Sequence, residues 1–364
     1  MRHDTDNSRP ARRAPANPTR PAAAALHALL LTLACLASAC DGADPEQPYR
    51  QYLWRLQNTL GVEAPARETV RAPRPPRSGA LRLALASSNL GALDFLALSG
   101  CAVQVNIGRR NSSLGRLAHE SQRLLLDLEY LRLAPACVDK LRAAGSDELA
   151  AKLEEAWARK RAQLPAQIFN ATLGGDEYRA LWLAARPPGD YPAQGDGRAG
   201  AALAAIDALA RRWLGGDYRA DNFEFEIFLG EVAGGGAGAL LRDLLAQQAW
   251  LARADAAVQA RMRKGPLCAP GIRHRAADIL PNVVRRFFIE GIQPRAARMG
   301  SRTYQLLPPL QALEQRLDAV LPPQYRQWMA QRDALLETAL AAPRAHVEQL
   351  QAIVAPCGEH ALRG

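Results

Sequence analysis

The sequence predicts an all-α fold, a multi-helix bundle of roughly ten helices stapled by disulfides behind a cleaved leader. Three observations predict it. Apolar residues recur at intervals of three and four along almost the whole chain after residue 40. Glycines and prolines interrupt that period where helix ends are expected. The one strand-like alternation, Phe223 to Phe228, has no second alternating stretch nearby to pair with and is read as helix.

Residues 1–39 read as a signal peptide. Arg2, Arg9, Arg12, Arg13 and Arg20 precede an apolar run from Ala22, and the run ends in Ala37-Ser38-Ala39-Cys40-Asp41. His27 and Thr32 interrupt it, so it is borderline against the about 20 apolar residues a permanent span requires, and a retained, uncleaved anchor is the competing reading. Small residues before a cysteine make Cys40 the expected first mature residue and the site of acylation, which would tether the chain to a lipid bilayer. The segment resembles the bacterial lipoprotein signal, and the sorting pattern that goes with this resemblance implies, from Asp41 after that cysteine, the inner membrane with the body facing the periplasm.

Residues 40–80 follow as a lipidated N-terminus, a short helix through Leu53, Leu56 and Leu60 that Gly61 can end, and a linker containing Pro65, Pro73, Pro75 and Pro76. Residues 81–364 read as one helical domain. Leu90, Leu93, Leu96 or Leu98, Cys101 and Val105 form a first apolar stripe, and Leu124, Leu128 and Leu131 a second, with a polar turn from Arg109 to Ser121 between them. A helix opening at Ser146 is expected to close before Pro165, with short helices at Ile168-Phe169 and Tyr178 to Trp182. Arg186 to Gly197 reads as a loop. Leu203, Ile206, Leu209 and Trp213 restore the helical period, and a long helix runs from the Gly234–Gly236 break to about Met262. Helices are then expected at Val283 to Ile289, Tyr304 to Val320, Tyr325 to Leu340 and Val347 to Val354, with Pro308 and Pro309 kinking or starting one of them.

The chain carries a formal net charge of +10, and only four of its 46 basic residues are lysine. Its arginines are spread along the chain beside acids such as Glu154, Glu155, Asp318 and Asp333, whereas a nucleic-acid surface clusters them with aromatics. No nucleic acid is therefore expected as a partner. Cys35 leaves with the leader and Cys40 takes lipid, so four cysteines remain: Cys101, Cys137, Cys268 and Cys357. Four cysteines allow three pairings. Cys101 with Cys137 and Cys268 with Cys357 are preferred, because each pair joins helices within one half of the chain. A metal centre is not expected, since no Cys-x-x-Cys and no helically spaced histidine pair is present.

Catalytic strings are equally sparse. Gly174-Gly175-Asp176-Glu177-Tyr178 looks like the signature of diguanylate cyclases, but it lies between helical stretches, not on a β-hairpin. Leu214-Gly215-Gly216-Asp217-Tyr218 nearly repeats it, which marks both as helix junctions. No Gly-x-Ser-x-Gly, His-Glu-x-x-His or Ser-x-x-Lys string occurs, and His119, His274, His346 and His360 are scattered. No cofactor is expected. The polar turn is the one candidate ligand site: Arg110, Asn111, Ser112, Arg116, Ser121 and Arg123 gather guanidinium groups, hydroxyls and amides that could grip a carboxylate or phosphate. The competing reading is that these residues build the turn and Ser121 caps the next helix.

The same residues carry a family resemblance. Leu96 to Cys101, the Arg110-Asn111-Ser112-Ser113-Leu114-Gly115-Arg116 string, Ser121-Gln122-Arg123-Leu124, Phe169-Asn170-Ala171-Thr172, Asn282-Val283, Ile292-Gln293-Pro294 and Cys357-Gly358 resemble the bacterial lipoprotein family catalogued as domain of unknown function 3080. The resemblance implies a lipid-anchored envelope protein and no established activity. The expectation is thus a tethered, non-catalytic helical module that binds or scaffolds another envelope protein. The alternative is an envelope enzyme or small-ligand binder using residues 110–123.

Overall fold

Helix-forming residues dominate between the glycine and proline breaks, and the computed structural model is accordingly almost entirely helical. It describes residues 44–86, 91–183 and 197–358. The leader, Cys40, Asp41 and most of the 186–197 segment lie outside the described residues. Residues 45–364 form one compact unit.

The chain opens with α1 (Gln47–Leu60), which Gly61 ends in the left-handed conformation while its N–H bonds back to Gln57. An extended strap follows, pinned where Arg253 donates to the Pro65 carbonyl and the Trp328 indole to that of Pro73. Then come α2 (Ser78–Leu81), α3 (Ala92–Ala97), α4 (Ala102–Asn111), α5 (Ser113–Leu117), α6 (Glu120–Ala143), α7 (Asp147–Ala171), α8 (Asp176–Trp182), α9 (Arg198–Leu214), α10 (Asn222–Gly234) and α11 (Ala237–Arg263). A two-residue hairpin, β1 (Cys268–Ala269) with β2 (Ile272–Arg273), precedes α12 (Ala276–Val283). A π-helical stretch, Val284–Ile292, leads into α13 (Gln293–Arg316), and α14 (Pro323–Val354) completes the body.

Three apolar clusters organise these helices. The largest joins the middle of the chain to α13 and the first half of α14, with Trp213, Phe225, Phe169 and Tyr325 at its heart. A second packs α1 against the end of α11, α12, the π-helical stretch and the end of α14. A third gathers Leu98, Val103 and Ile107 against α6 and α7, and Cys101 is bonded to Cys137 inside it. Cys268 is bonded to Cys357 beside the second cluster. Both pairings follow the expected connectivity. Helices α11 and α14 each contribute residues to the first and second clusters and pack along one another as a common spine.

Several boundaries differ from the sequence reading. The helix opening after Ser146 does not close before Pro165; α7 runs through it to Ala171, taking in Ile168 and Phe169. Tyr325 to Leu340 and Val347 to Val354 are likewise one helix, α14, with Pro343 inside it. A proline removes one backbone hydrogen bond. Here buried residues on both sides, Leu153 and Phe169 in α7 and Ala339 and Leu350 in α14, hold the helices together. The first apolar stripe is also rephased. Leu93, Leu96 and Val105 face solvent, and Leu98, Cys101, Val103 and Ile107 are buried, because the backbone breaks between α3 and α4. Phe223 to Phe228 is helical, as expected.

Candidate functional site

The polar turn is a tight helical corner. Ser112 leaves α4 in an extended conformation and caps α5, its Oγ accepting the Gly115 N–H at 3.0 Å and donating to the Arg109 carbonyl at 2.8 Å. Gly115 is required by space: a Cβ there would come within 2.2 Å of the Arg109 carbonyl oxygen and 2.6 Å of that of Arg110. Ser121 does not cap α6. It sits buried in that helix's first turn, and His119 occupies the cap position.

Two arginines of the turn, Arg110 and Arg123, point inward. Arg110 approaches Asp127, with Nε 3.7 Å from Oδ1, and the buried Asp127 also accepts from Lys160 Nζ at 2.7 Å and from Gln167. Arg123 donates to the Arg116 carbonyl and, at 3.3 Å, to Glu120, which also pairs with Arg82. These side chains brace α4, α5, α6 and α7 against one another. Asn111 and Arg116 are exposed on the outside of the corner.

Two clefts flank it. The larger, about 510 Å³, is lined by Arg109, Ser112, Gln122, Glu129, Arg132 and Tyr218 among others. Arg109 donates to Glu129 at 2.9 Å, and Gln122 reaches across to Asn222 and Glu226 of α10, each at 2.6 Å. Around it stand apolar side chains left in water: Leu114 and Leu117 are each 85 % exposed and Phe223 is 77 % exposed. The smaller, about 290 Å³, holds Ser121 with His119, Glu120, Asn170 and Asp176. Asn170 mimics a backbone partner there, accepting the Leu83 N–H at 2.8 Å and donating to its carbonyl at 2.9 Å. Of the six expected site residues, Ser112 lines the larger cleft and Ser121 the smaller. Arg110 and Arg123 brace the corner, and the structure gathers no single site from all six.

Gly174 and Gly175 form a helix junction, as their near-repeat suggested. The Gly174 N–H bonds to Phe169 at 2.8 Å, and Asp176, the first residue of α8, accepts from Ser78 at 2.6 Å.

The most elaborate polar groupings are ones the sequence does not announce. Tyr52 Oη lies 2.7 Å from His346 Nε2, and His346 Nδ1 lies 2.5 Å from Asp255. The order of hydroxyl, imidazole and carboxylate is that of nucleophilic catalysis. The hydroxyl is a phenol, however, and it is buried against Phe288 with its acidity suppressed by desolvation. None of the three residues lines the clefts above, so the line acts as a clamp among α1, α11 and α14. A second grouping, Tyr178, Glu314, Tyr325 and Arg332, is sealed in the first cluster, with Arg332 between the rings of Trp182 and Trp328 at 5.0 and 5.1 Å. In the first grouping the partners stand 91 and 294 positions apart, which leaves no local signal.

Among the described residues, no group of three or more His, Cys, Asp or Glu side chains is placed to hold a metal ion. No helix among them is long and apolar enough to cross a membrane. No curated protein and no solved structure matches the chain. The family described as Protein of unknown function (DUF3080) matches residues 49–360, which takes in the corner, both disulfides and the buried clamp; the chain belongs to that family.

Proposed function

We propose that this protein is a lipid-anchored envelope module that binds another envelope protein through the corner between α4 and α6 and performs no chemistry of its own. One observation carries the reading: the corner is braced from within by Arg110 and Arg123, while its outer face presents an open groove beside exposed Leu114, Leu117 and Phe223. Large apolar side chains grouped at a rigid, polar-walled groove are the usual anchors of a protein interface. The Arg-rich leader and the Ala37-Ser38-Ala39-Cys40 string support the tether. In intact cells, a photo-crosslinking residue at Leu114 or Phe223 should give a reproducible adduct that Leu117→Asp removes. No adduct at either position would overturn the binding role. Cys40→Ala should release the protein from the membrane fraction and remove the lipid mass.

A second reading rests on the smaller cleft, where Ser121 and Asn170, both from the family-like strings, meet His119, Glu120 and Asp176. It makes the protein a small-ligand binder or enzyme. Loss of a cellular phenotype in Ser121→Ala at unchanged melting temperature would favour it over the docking role.

A further inference from the structure

A third cleft, far in sequence from the corner, has a different chemistry. It measures about 590 Å³ and lies where the C-terminal ends of α1 and α11 meet the start of α12. Arg261, Lys264, His274 and Arg275 line it together with Asn58 and Thr59, and no carboxylate is among the lining residues. Elsewhere in the body, arginines commonly face an acid, as Arg316 faces Asp207 and Arg332 faces Glu314. Here the nearest carboxylate in sequence, Asp278, is taken by Arg273 at 2.7 Å.

The donors are held in place by the fold. Arg261 is only 6 % exposed, and Nη1 donates to the Gly265 carbonyl at 2.7 Å, a bond that fixes the guanidinium beside the cleft it lines. Lys264 Nζ donates to the Gly61 carbonyl at 3.0 Å and keeps two further hydrogens. These bonds cover the carbonyl ends of α1 and α11, whose partial negative charge would otherwise repel an anion. His274 Nδ1 accepts the Ala276 N–H at 3.1 Å, which places the neutral ring's own N–H on Nε2. The Arg275 side chain has no partner among the described residues.

Gathering cations without a counter-charge costs free energy through mutual repulsion, and a multiply charged oxyanion relieves it. Two guanidinium groups, an ammonium, an imidazole N–H, a hydroxyl and an amide match the several acceptor oxygens of a phosphate group better than the two of a carboxylate. We propose that this cleft binds a phosphate-bearing ligand, with Arg261 as its fixed floor and Arg275 and Lys264 as its closing arms. The bound phosphate belongs either to a lipid headgroup or to a free phosphate compound.

The test uses the chain from residue 40 onward carrying Cys40→Ala, so that neither the apolar leader nor a lipid tether masks vesicle binding. Inorganic phosphate is titrated calorimetrically, and sedimentation follows binding to phosphatidylcholine vesicles containing phosphatidic acid or oleate at matched charge. The expected result is binding to inorganic phosphate or to the phosphatidic acid vesicles above that to oleate, weakened about tenfold by Arg275→Gln and further by Lys264→Gln. Arg275→Gln breaks no internal bond, so its melting temperature should not move. Vesicle binding without phosphate binding identifies a headgroup. Phosphate binding without vesicle binding identifies a free phosphate compound. Binding to neither probe, equal binding to oleate vesicles, or wild-type affinity in Arg275→Gln overturns the proposal.

Discussion

Arg332 and Glu314 face each other through two parallel N–H···O bonds, Nη1 to Oε1 at 2.7 Å and Nη2 to Oε2 at 2.9 Å, in a place that leaves the arginine 0 % exposed. Tyr178 and Tyr325 complete the shell, the former accepting from Arg332 at 3.1 Å and donating to Glu314 at 3.0 Å. The pair locks α13 to α14 and α8 to both. A buried ion pair is not in itself a large source of stability, but half of one is a large liability.

Arg332→Met should therefore destabilise the protein by about 3–5 kcal/mol, because Glu314 is left buried without its cation. Arg332→Met with Glu314→Met should recover part of the loss. Urea denaturation followed by circular dichroism measures both. A single variant within 1 kcal/mol of wild type would show that the pair is not closed in solution.

Alkaline pH should unfold the protein before its buried phenols ionise. Burial raises the hydroxyls of Tyr49, Tyr52, Tyr130, Tyr178 and Tyr325 above their ordinary value of 10.0, Tyr49 to about 12. A raised folded-state value means that the unfolded chain releases these protons first. The stability at stake is complete below pH 10 and declines as pH rises from 10 towards 12 and beyond. Tyrosinate absorbance from these residues should appear together with loss of helical ellipticity. Ionisation of every tyrosine near pH 10 in a protein that remains helical would contradict the burial.

The two disulfides should differ in worth. Cys268–Cys357 closes 89 positions and Cys101–Cys137 closes 36. On the chain-entropy model these contribute about 5 and about 4 kcal/mol, so the paired serine replacement at 268 and 357 should lower stability slightly more. Peptide mapping without reductant should recover both bridges and no mixed pair.

Gly115→Ala should destabilise the corner by about 1–3 kcal/mol, since the new methyl group meets two carbonyl oxygens of a tightly held turn. Gly300→Ala is a fitting control within a helix, where nothing lies within 4 Å of the added atom. Thermal melts of the two variants should separate clearly.

Much of the architecture was legible because helical period and glycine punctuation are local. Gly61 ended α1 and the 234–236 glycines separated α10 from α11, as their spacing implied. Proline misled at Pro165 and Pro343, since packing on both sides outweighed one lost hydrogen bond. The stripe at residues 93–105 misled because one break between α3 and α4 rotates every later side chain. At the corner, the sequence marked the residues that form the turn but not the direction in which each side chain points. Whether Arg110 turns inward depends on Asp127, held in turn by Lys160 and Gln167 of the next helix.

The clamp between Tyr52 and His346 also ties the two ends of the chain. Helix α1 is the first helix of the body, yet the imidazole its hydroxyl meets stands 294 positions later, and Leu350, Ile353 and Cys357 later still. Most of its packing is against α11, α12 and the π-helical stretch, and the last turns of α14 complete the apolar surface that Tyr52, Leu53 and Leu56 enter. A change in the final turns of α14 is therefore felt by the first helix, at the opposite end of the sequence.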